Sequence, residues 1–341
     1  MPGGTAVTEV PDPHTSAEGV VVAVEACGIC GSDVHLVASG GVAAGQVLGH
    51  EFSGRVVATG GKVRGWRVGA PVAVNPVGGC GGCPACRAGL PFRCPRVPNI
   101  GLSAPGAYAE YVAVPAAQLV ALPEEVHPEV GAYAEPLAVA LRALDLGEPG
   151  AGDAVLVYGV GAIGLNVVMA LRLCGVERVV AVGRSAVRRD AAAAAGADVV
   201  LDSGETDLVT WARDHDVSFR SAYECSGATG ALAEIMSVLR PGGRCVQVAL
   251  RGDPETVDVG GLVSRGLTLV GSCAFRPADY AQAVEHLLAG RVSGDALVSH
   301  RVPLEATPDT LTRLQRPGGA VRVLVQPSRS ASARSGGEGA A

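Results

Sequence analysis

Residues Val155–Gly175 read VLVYGVGAIGLNVVMALRLCG, and this stretch decides the fold of the C-terminal half of the chain. An apolar, strand-forming run leads into three glycines with the spacing G-x-G-x-x-G, and a run with helical character follows them. Glycines at this spacing allow a tight turn and let a pyrophosphate approach the first turn of a helix, where free amide groups attract anions. A glycine-rich turn without a ligand would have the same bare spacing, but the strand before it and the helix after it favour a dinucleotide site. The predicted cofactor contacts in this turn are Gly159, Gly161, Ala162, Ile163 and Gly164.

The next predicted strand, RVVAV, ends at Gly183, where proteins that use NAD carry an Asp or Glu for the ribose 2′-hydroxyl. Here a glycine stands at this position, and Arg184, Ser185, Arg188 and Arg189 follow it. A carboxylate would repel a 2′-phosphate, whereas a guanidinium binds one through paired charge-assisted hydrogen bonds. We therefore predict NADP(H) in preference to NAD(H), with Arg184 as the leading contact. The alternative is that one of the two later arginines belongs only to a solvated helix face.

In the rest of the C-terminal half, predicted strands and helices continue to alternate. From about residue 138 onward, apolar runs such as DVVLD and RCVQVAL alternate with helical stretches. This alternation is typical of parallel βαβ units, so residues 138–275 are predicted to form a doubly wound Rossmann domain. Residues 1–135 are rich in Gly and Pro and contain short β-type runs separated by turn residues, which predicts a mostly-β, loop-rich unit. The fold class is therefore α/β, and the low-complexity tail 328–341 is predicted to be disordered.

Composition excludes several classes of function. The chain has 341 residues and a net charge of −6, and its basic residues are scattered, so no nucleic-acid surface is expected. No apolar run reaches the length of about 18 residues that a membrane helix needs, and the N-terminus does not resemble a secretory signal. We therefore expect no membrane partner and a cytoplasmic protein, whose thiols stay reduced.

Four cysteines are clustered in the segment CGGCPACRAGLPFRC (80–94), with the spacing C-x2-C-x2-C-x7-C. Four thiolates on one loop with tight Gly and Pro turns suit a tetrahedral, structural zinc site. An iron–sulfur cluster also takes four thiolates, and a disulfide pair is the third alternative, although a reducing compartment argues against it. We predict structural zinc, bound by Cys80, Cys83, Cys86 and Cys94.

A second set of metal-binding side chains lies upstream. Cys30, His50 and Glu51 offer a thiolate, an imidazole and a carboxylate, which can form a three-ligand zinc site with an open fourth position, as catalytic zinc requires. From these residues alone, an equally good interpretation is a buried cysteine and a hydrogen-bonded histidine.

The order of these motifs resembles that of the zinc-dependent medium-chain dehydrogenases. The segments GICGSDVH (28–35), GHEFSG (49–54), the four-cysteine lobe, YAEPLAV (133–139) and the glycine turn follow one another as in that family, most closely as in its sorbitol and threonine dehydrogenase branch. The resemblance covers about residues 8–326. It implies a GroES-like catalytic domain, formed by residues 1–137 and 276–327, and a homodimer or homotetramer.

The resemblance also implies roles for individual residues. Cys30, His50 and Glu51 match the ligands of the catalytic zinc, and Glu135 matches a glutamate that binds this metal directly or through water. Ser32 matches the hydroxyl that passes on the proton of the alcohol, and His35 resembles the outer member of this relay, although it can also be a plain surface residue.

The family's substrate-binding arginine corresponds to Arg276, but Pro277 stands where sorbitol dehydrogenases have tyrosine, and an ordinary surface arginine is the alternative. The implied activity is zinc-dependent hydride transfer between NADP(H) and a secondary alcohol or ketone. The substrates expected are polyols, sugar derivatives or cyclitols in a biosynthetic pathway. The alternatives are a threonine-type or primary-alcohol dehydrogenase, and a non-catalytic relative that only binds NADP(H).

Overall fold

A computed structural model describes residues 4–250, 253–316 and 320–327, so the predicted disordered tail 328–341 lies outside the described residues. The described strands are β1 Gly19–Gly28, β2 Glu51–Thr59, β3 Pro71–Val74, β4 Tyr111–Pro115, β5 Leu119–Ala121, β6 Ala154–Tyr158, β7 Arg178–Gly183, β8 Val199–Asp202, β9 Phe219–Glu224, β10 Leu239–Gln247, β11 Thr268–Gly271, β12 Val298–Pro303 and β13 Arg322–Gln326. The described helices are α1 Gly31–Ala38, α2 Pro84–Arg87, α3 Ala134–Gly147, α4 Ala162–Leu173, α5 Ala186–Ala194, α6 Leu208–Asp214, α7 Ala231–Val238, α8 Val259–Ser264, α9 Pro277–Leu288 and α10 Thr307–Leu314.

Strands β6 to β11 form a parallel sheet with the order β11-β10-β9-β6-β7-β8. The chain therefore moves outward from β6 in one direction through β7 and β8, and in the other direction through β9, β10 and β11. The point where the order reverses, at the carboxyl ends of β6 and β9, is where doubly wound sheets bind their ligands. This topology confirms the predicted α/β class and places the glycine turn at that point.

The other sheet combines both ends of the chain. Strand β1 pairs antiparallel with β2, β4 and β13, and β3, β5 and β12 extend the sheet. Because β13 pairs with the end of β1, with Gly28 opposite Leu324, the segment after the parallel sheet returns to the N-terminal half. The β-type runs of the sequence predict β1, β2, β4 and β13. They do not predict β3 and β5, which are apolar runs of only four and three residues, or β12, whose side chains are largely exposed.

Helix α3 lies between the two sheets. Its apolar side chains are largely buried, and it packs against α4, α9 and residues of both sheets in one core cluster. Such a helix is fixed on several sides, so a polar residue in its first turn is held in a defined position. That residue is Glu135.

Candidate metal and cofactor site

The antiparallel pairing of β1 with β2 brings the first candidate ligands together. Gly28 at the end of β1 lies opposite Glu51 at the start of β2, so Cys30 and His50 meet at the same edge of the sheet. Ligand atoms of Cys30, His50 and Glu51 all lie within 4.8 Å of one another. The histidine and the glutamate are buried and the cysteine is partly buried, so the cluster is a defined internal site rather than a chance group of surface side chains.

Asp33 orients the imidazole of His50. The Asp33 side chain is completely buried, and its Oδ1 lies 3.4 Å from Nδ1 of His50. Its Oδ2 accepts hydrogen bonds from the Tyr108 hydroxyl at 2.6 Å and from the backbone N–H of Cys30 at 3.3 Å. A carboxylate on one ring nitrogen fixes the ring and leaves the other nitrogen, Nε2, for a metal. Burial lowers the pKa of His50, but Asp33 and Cys30 outweigh it and raise the pKa well above its ordinary value.

Glu51 forms a buried ion pair with Arg322. The Glu51 Oε2 atom lies 2.7 Å from Nη2 of Arg322, and both side chains are at most 2% exposed. The same nitrogen donates to the carbonyl of Ala132 at 2.9 Å, and the guanidinium lies over the ring of Tyr133. A Cβ on Gly28 would lie 2.1 Å from Oε2 of Glu51, so this position has room only for glycine. The pair fixes one carboxylate oxygen and leaves the other for a metal.

Glu135 lies near the three-residue cluster but outside it. It is 7% exposed, and burial raises its pKa to about 8, while His50 acts in the opposite direction. The Arg322 guanidinium also lowers this pKa, but burial outweighs both opposing groups, so the protonated form of Glu135 is favoured. Its position near the cluster keeps it a candidate for binding a metal through water or after a small movement.

The donor set fits zinc. A thiolate, an imidazole and a carboxylate are all zinc ligands, and three of them leave a tetrahedral ion one free position. Burial raises the pKa of the Cys30 thiol, so the thiolate form of this buried side chain needs a cation beside it. Ser32 lies in the first turn of α1, beside the Cys30 N-cap, and the exposed His35 follows one turn later on the same helix. Residues at this spacing share a helix face, so the two can connect the site with solvent.

The four lobe cysteines form a second, separate cluster. Their Sγ atoms lie within 4.8 Å of one another, and the Sγ atoms of Cys83 and Cys94 are 3.9 Å apart. Zinc–sulfur bonds of about 2.3 Å in a tetrahedron give a spacing of about 3.8 Å, so this geometry suits a single ion. A cluster of several irons would need the sulfurs further apart, and no cysteine of the chain is in a disulfide.

Backbone amides stabilise the thiolate form of two of the lobe cysteines. Burial raises the pKa of Cys94, but N–H groups of Arg96, Cys80 and Val97 outweigh it and lower the pKa to about 6. The N–H of Gly82 likewise lowers the pKa of Cys80. Burial and the Cys83 side chain raise the pKa of Cys86 to about 11, so the amide donors favour the thiolate at Cys80 and Cys94 and not at Cys86.

We expect Cys94→Ser to remove the lobe zinc and to destabilise the lobe. Losing a structural metal belongs to the changes that cost more than about 4 kcal/mol, because the loop has little core of its own. Metal analysis should show one zinc fewer per chain, and hydrogen exchange should show faster exchange in residues 80–94. The matched control is Cys174→Ser, which changes an exposed thiol far along the chain and should keep all the metal. An unaltered zinc content in folded Cys94→Ser protein would contradict this assignment.

The cofactor cleft is a cavity of about 890 Å³ at the carboxyl ends of the parallel strands. It is lined by the turn 158–161 after β6, by residues 182–185 at the end of β7, by Arg188 and Ser203, and by residues 225–229 after β9. The cleft thus joins the predicted pyrophosphate turn with the predicted 2′-phosphate contacts. Its size and position suit the adenosine half of a dinucleotide.

Two positions of the turn require glycine, because backbone atoms of neighbouring residues lie where a Cβ would be. A Cβ on Gly164 would lie 1.8 Å from the carbonyl oxygen of Gly159, so only glycine lets α4 begin here. Gly159 has φ +101°, and a Cβ there would lie 2.5 Å from the backbone nitrogen of Ser226. The other predicted contacts, Ala162 and Ile163, begin helix α4 and do not line the cleft.

The three predicted arginines differ in their surroundings. Arg184 lines the cleft and is exposed, so its guanidinium is accessible to a phosphate. Arg188 also lines the cleft, and its Nε donates to the carbonyl of Ala320 at 3.1 Å. Arg189 does not line the cleft, because it is paired with Asp202 at 2.6 Å and donates to the Arg184 carbonyl. Arg189 therefore has a structural partner already.

Several residues that line the cleft could not be recognised from the sequence alone. Val160 stands next to Gly183, since a Cβ at residue 183 would lie 2.2 Å from its Cγ2. Ser203 follows β8, and the loop 225–229 follows β9. The rule that ligands bind beyond the carboxyl ends of parallel strands points to these loops once the strand ends are known.

Arg276 is held at the start of α9. Its guanidinium pairs with Asp279 at 2.7 Å and with Asp145 at 3.2 Å. Asp145 lies near the C-terminal end of α3 and Glu135 near its N-terminal end, so about 15 Å of helix separate the two. The structure does not bring Arg276 to the three candidate zinc ligands, and its contact with substrate stays a prediction.

Comparison with known protein families gives two matches that together span most of the chain. A sequence model of the alcohol dehydrogenase GroES-like domain matches residues 16–124, and one of zinc-binding dehydrogenase matches residues 162–289. Among the described residues, no helix is both long and apolar enough to cross a membrane.

Two curated relatives are similar along nearly their whole length. The sorbitol dehydrogenase of Halalkalibacterium halodurans is 31% identical, over 95% of this chain and 96% of its own. The L-threonine 3-dehydrogenase of Saccharopolyspora erythraea is 32% identical, over 88% of this chain and 89% of its own.

Solved structures share the fold. A zinc-binding dehydrogenase from Sinorhizobium meliloti, bound to NADP, superposes with a TM-score of 0.88 at 32% identity, covering 94% of this chain and 96% of its own. The RspB alcohol dehydrogenase of Escherichia coli CFT073, complexed with NADH, gives a TM-score of 0.87 at 29% identity, covering 92% and 93% of the two chains. The same fold therefore occurs with either cofactor.

Proposed function

The chain belongs to the zinc-dependent medium-chain alcohol dehydrogenase family, in its sorbitol and threonine dehydrogenase branch, and we propose that it transfers hydride reversibly between NADP(H) and a secondary alcohol or ketone. Family membership confirms the resemblance and the enzyme class. The observation that carries the proposal is the buried cluster of Cys30, His50 and Glu51, in which no ligand of the open zinc site is lost.

We propose two zinc ions per chain, one in each cluster. Cys30, His50 and Glu51 would hold the catalytic ion, with Glu135 beside it, and the four lobe cysteines would hold the structural one. When bound, catalytic zinc supplies the positive charge that stabilises the negative charge developing on the substrate oxygen. The lobe site has four protein ligands and no open position, so it supports structure alone.

Residues of α1 would move the proton. Ser32 would accept a hydrogen bond from the substrate hydroxyl and pass its proton on, and His35 would release it to solvent. The exposed position of His35 supports an end of the relay in water. Asp33 would keep the His50 ring in place, with Tyr108 and the Cys30 amide fixing this carboxylate in turn. In this way the chain presents a rigid set of groups to the reacting carbon.

The cofactor preference depends on the end of β7. Gly183 offers no carboxylate to the ribose, and Arg184 and Arg188 line the same cleft, which supports NADP(H). The solved relatives contain NADP in one case and NADH in the other, so the preference is argued from the residues of this chain.

We expect Arg184→Ala to raise the KM for NADPH by about 10- to 100-fold and to leave the KM for NADH within about 3-fold. The equivalent of one charge-assisted hydrogen bond to a phosphate, about 1.5–3 kcal/mol, would be lost. Steady-state kinetics with both cofactors measure this difference. The control is Arg213→Ala, an exposed arginine in the same half that does not line the cleft. A wild-type enzyme with higher kcat/KM for NADH, or an NADPH KM that Arg184→Ala leaves unaltered, would contradict the preference.

The activity itself is tested by NADPH oxidation at 340 nm. The panel should contain ketoses, cyclic ketones, an aldehyde series and, in the reverse direction, polyols and L-threonine. Turnover of ketoses or cyclitol-type ketones supports the proposal, whereas a preference for threonine or primary alcohols supports the second candidate, which the threonine dehydrogenase relatives favour. NADPH binding without turnover of any substrate would indicate a non-catalytic relative.

We also propose a homodimer or homotetramer in the cytoplasm. Strand β11 is the edge of the parallel sheet, and Val259 and Val263 on the neighbouring helix α8 are 66% and 71% exposed. An open strand edge beside exposed apolar side chains supports association between copies of the chain.

A further inference from the structure

We propose that Glu224 is a positioning residue that holds loop 225–229 in the shape that binds the adenosine half of the cofactor. The inference rests on the proposed function, because it requires the cleft to bind a nicotinamide dinucleotide. Glu224 is the last residue of β9, and it lies opposite Tyr158 of β6 and Gln247 of β10. It therefore occupies the point where the strand order of the sheet reverses.

The carboxylate of Glu224 is buried and fully engaged by its neighbours. It is 1% exposed. Its Oε1 accepts hydrogen bonds from the backbone N–H groups of Ser226 at 2.8 Å and Gly227 at 2.9 Å, and also from the Ser226 hydroxyl. Its Oε2 accepts from Nε2 of Gln247 at 2.6 Å. Charged acceptors form stronger hydrogen bonds than neutral ones, so one side chain ties the loop to the sheet.

Both oxygens contact the loop, and Oε2 also contacts strand β10. Oε1 accepts from the N–H groups of Ser226 and Gly227, and Oε2 accepts from the Gly227 N–H at 3.2 Å and from Gln247, whose Nε2 also donates to the carbonyl of Ala249 at 2.9 Å. Gln247 therefore fixes the orientation of the carboxylate from the side of β10. Without the carboxylate, the N–H groups of residues 226 and 227 would lose these acceptors, and the loop would have to rearrange to satisfy them.

The loop forms one wall of the cleft. Residues 225–229 line it on one side, and residues 182–185 at the end of β7 line it as well. The loop also touches the glycine turn, since a Cβ on Gly159 would lie 2.5 Å from the Ser226 nitrogen and 2.7 Å from the Cys225 carbonyl carbon. A shift of the loop would therefore change both the width of the adenosine pocket and the packing of the pyrophosphate turn.

Three variants test the contacts of the Glu224 carboxylate with the loop and with Gln247. Glu224→Met removes both acceptors, and Glu224→Gln keeps one acceptor for the loop but places an amide donor opposite the Gln247 donor. The double variant Glu224→Gln with Gln247→Glu restores an acceptor opposite that donor. The matched control is Glu177→Gln, which neutralises an exposed glutamate of the same half outside the cleft.

Binding is measured by titration of NADPH fluorescence, and 2′,5′-ADP is used as a competitor that contains only the adenosine end. We expect the Kd of NADPH to rise by about 5- to 20-fold in Glu224→Gln and by at least about 50-fold in Glu224→Met, in proportion to the lost hydrogen bonds. The Kd of 2′,5′-ADP should rise in parallel. The double variant should recover part of the affinity, and kcat at saturating NADPH should stay within about 3-fold of wild type.

Several results would overturn the inference. One is a folded Glu224→Gln or Glu224→Met protein that binds NADPH and 2′,5′-ADP as tightly as wild type. Another is a loss of kcat and of alcohol affinity as large as the loss of NADPH affinity, which would show general structural damage. If the wild-type protein binds neither NADPH nor NADH, the proposed function is wrong and this inference with it. If wild type and variants bind NADPH equally tightly, only the inference is wrong.

Discussion

Cys30→Ser is expected to lower kcat/KM by at least about 10³-fold and to remove one of the two zinc ions proposed for each chain. Serine is a poor zinc ligand near neutral pH, and the loss of metal removes several kcal/mol of charge stabilisation in the transition state. Cys30 is the only thiol that the structure places within ligand distance of both His50 and Glu51 among the described residues. The measurements are steady-state kinetics and metal analysis of the same preparation.

The matched control for this variant is Cys27→Ser. Cys27 is buried three positions earlier, and its Sγ donates to the carbonyl of Gly28 instead of pointing into the ligand cluster. We expect it to keep both zinc ions and to stay within about 3-fold of wild-type activity once folded, because a hydroxyl can replace this hydrogen bond. Equal activity of wild type and Cys30→Ser would exclude the zinc mechanism. An equal loss of activity in Cys30→Ser and Cys27→Ser would indicate that both substitutions disturb the packing of this region and not a metal ligand.

Arg322→Met is expected to destabilise the zinc-depleted protein by about 3–5 kcal/mol. Removing one partner of a buried ion pair leaves the other charge uncompensated, and Glu51 and Arg322 are both almost completely buried. Zinc should recover part of the loss, because the metal supplies a new cation for Glu51. Urea unfolding of zinc-depleted and zinc-loaded protein measures both effects.

A surface pair serves as the control for Arg322→Met. Arg244 pairs with Glu148 at 2.9 Å, and the two side chains are 27% and 57% exposed. Exposed ion pairs contribute at most about 1 kcal/mol, so Arg244→Met should change the free energy of unfolding little. If Arg322→Met lowers the free energy of unfolding of zinc-depleted protein no more than Arg244→Met does, the Glu51–Arg322 pair does not stabilise the site. Glu51 must then be held in another way.

The local features of this site could be predicted from the sequence, because their contacts are local as well. The glycine turn needs only its own spacing and its flanking strand and helix, and the structure shows the close approach of Gly164 to Gly159 that this spacing requires. The cysteine lobe is equally local, since short turns within one loop bring its four sulfurs together.

The remaining contacts join residues that are distant in the chain. Arg322 lies 271 residues after Glu51 and meets it only because β13 returns to pair with β1. No local pattern could show this, and the resemblance to a family supplied the candidate zinc ligands but not this ion pair. In the same way, the sequence alone could not tell which arginine after β7 faces the cleft, since Asp202, which engages Arg189, belongs to the next strand.

The central claim is that a single zinc ion, bound by Cys30, His50 and Glu51, serves the reaction beside the cofactor. Anomalous X-ray diffraction at the zinc absorption edge, from crystals of active enzyme with NADPH, tests it most directly. The account predicts one anomalous peak between these three side chains and a second peak inside the lobe 80–94. A fully active crystal preparation with no peak at the first position would contradict it.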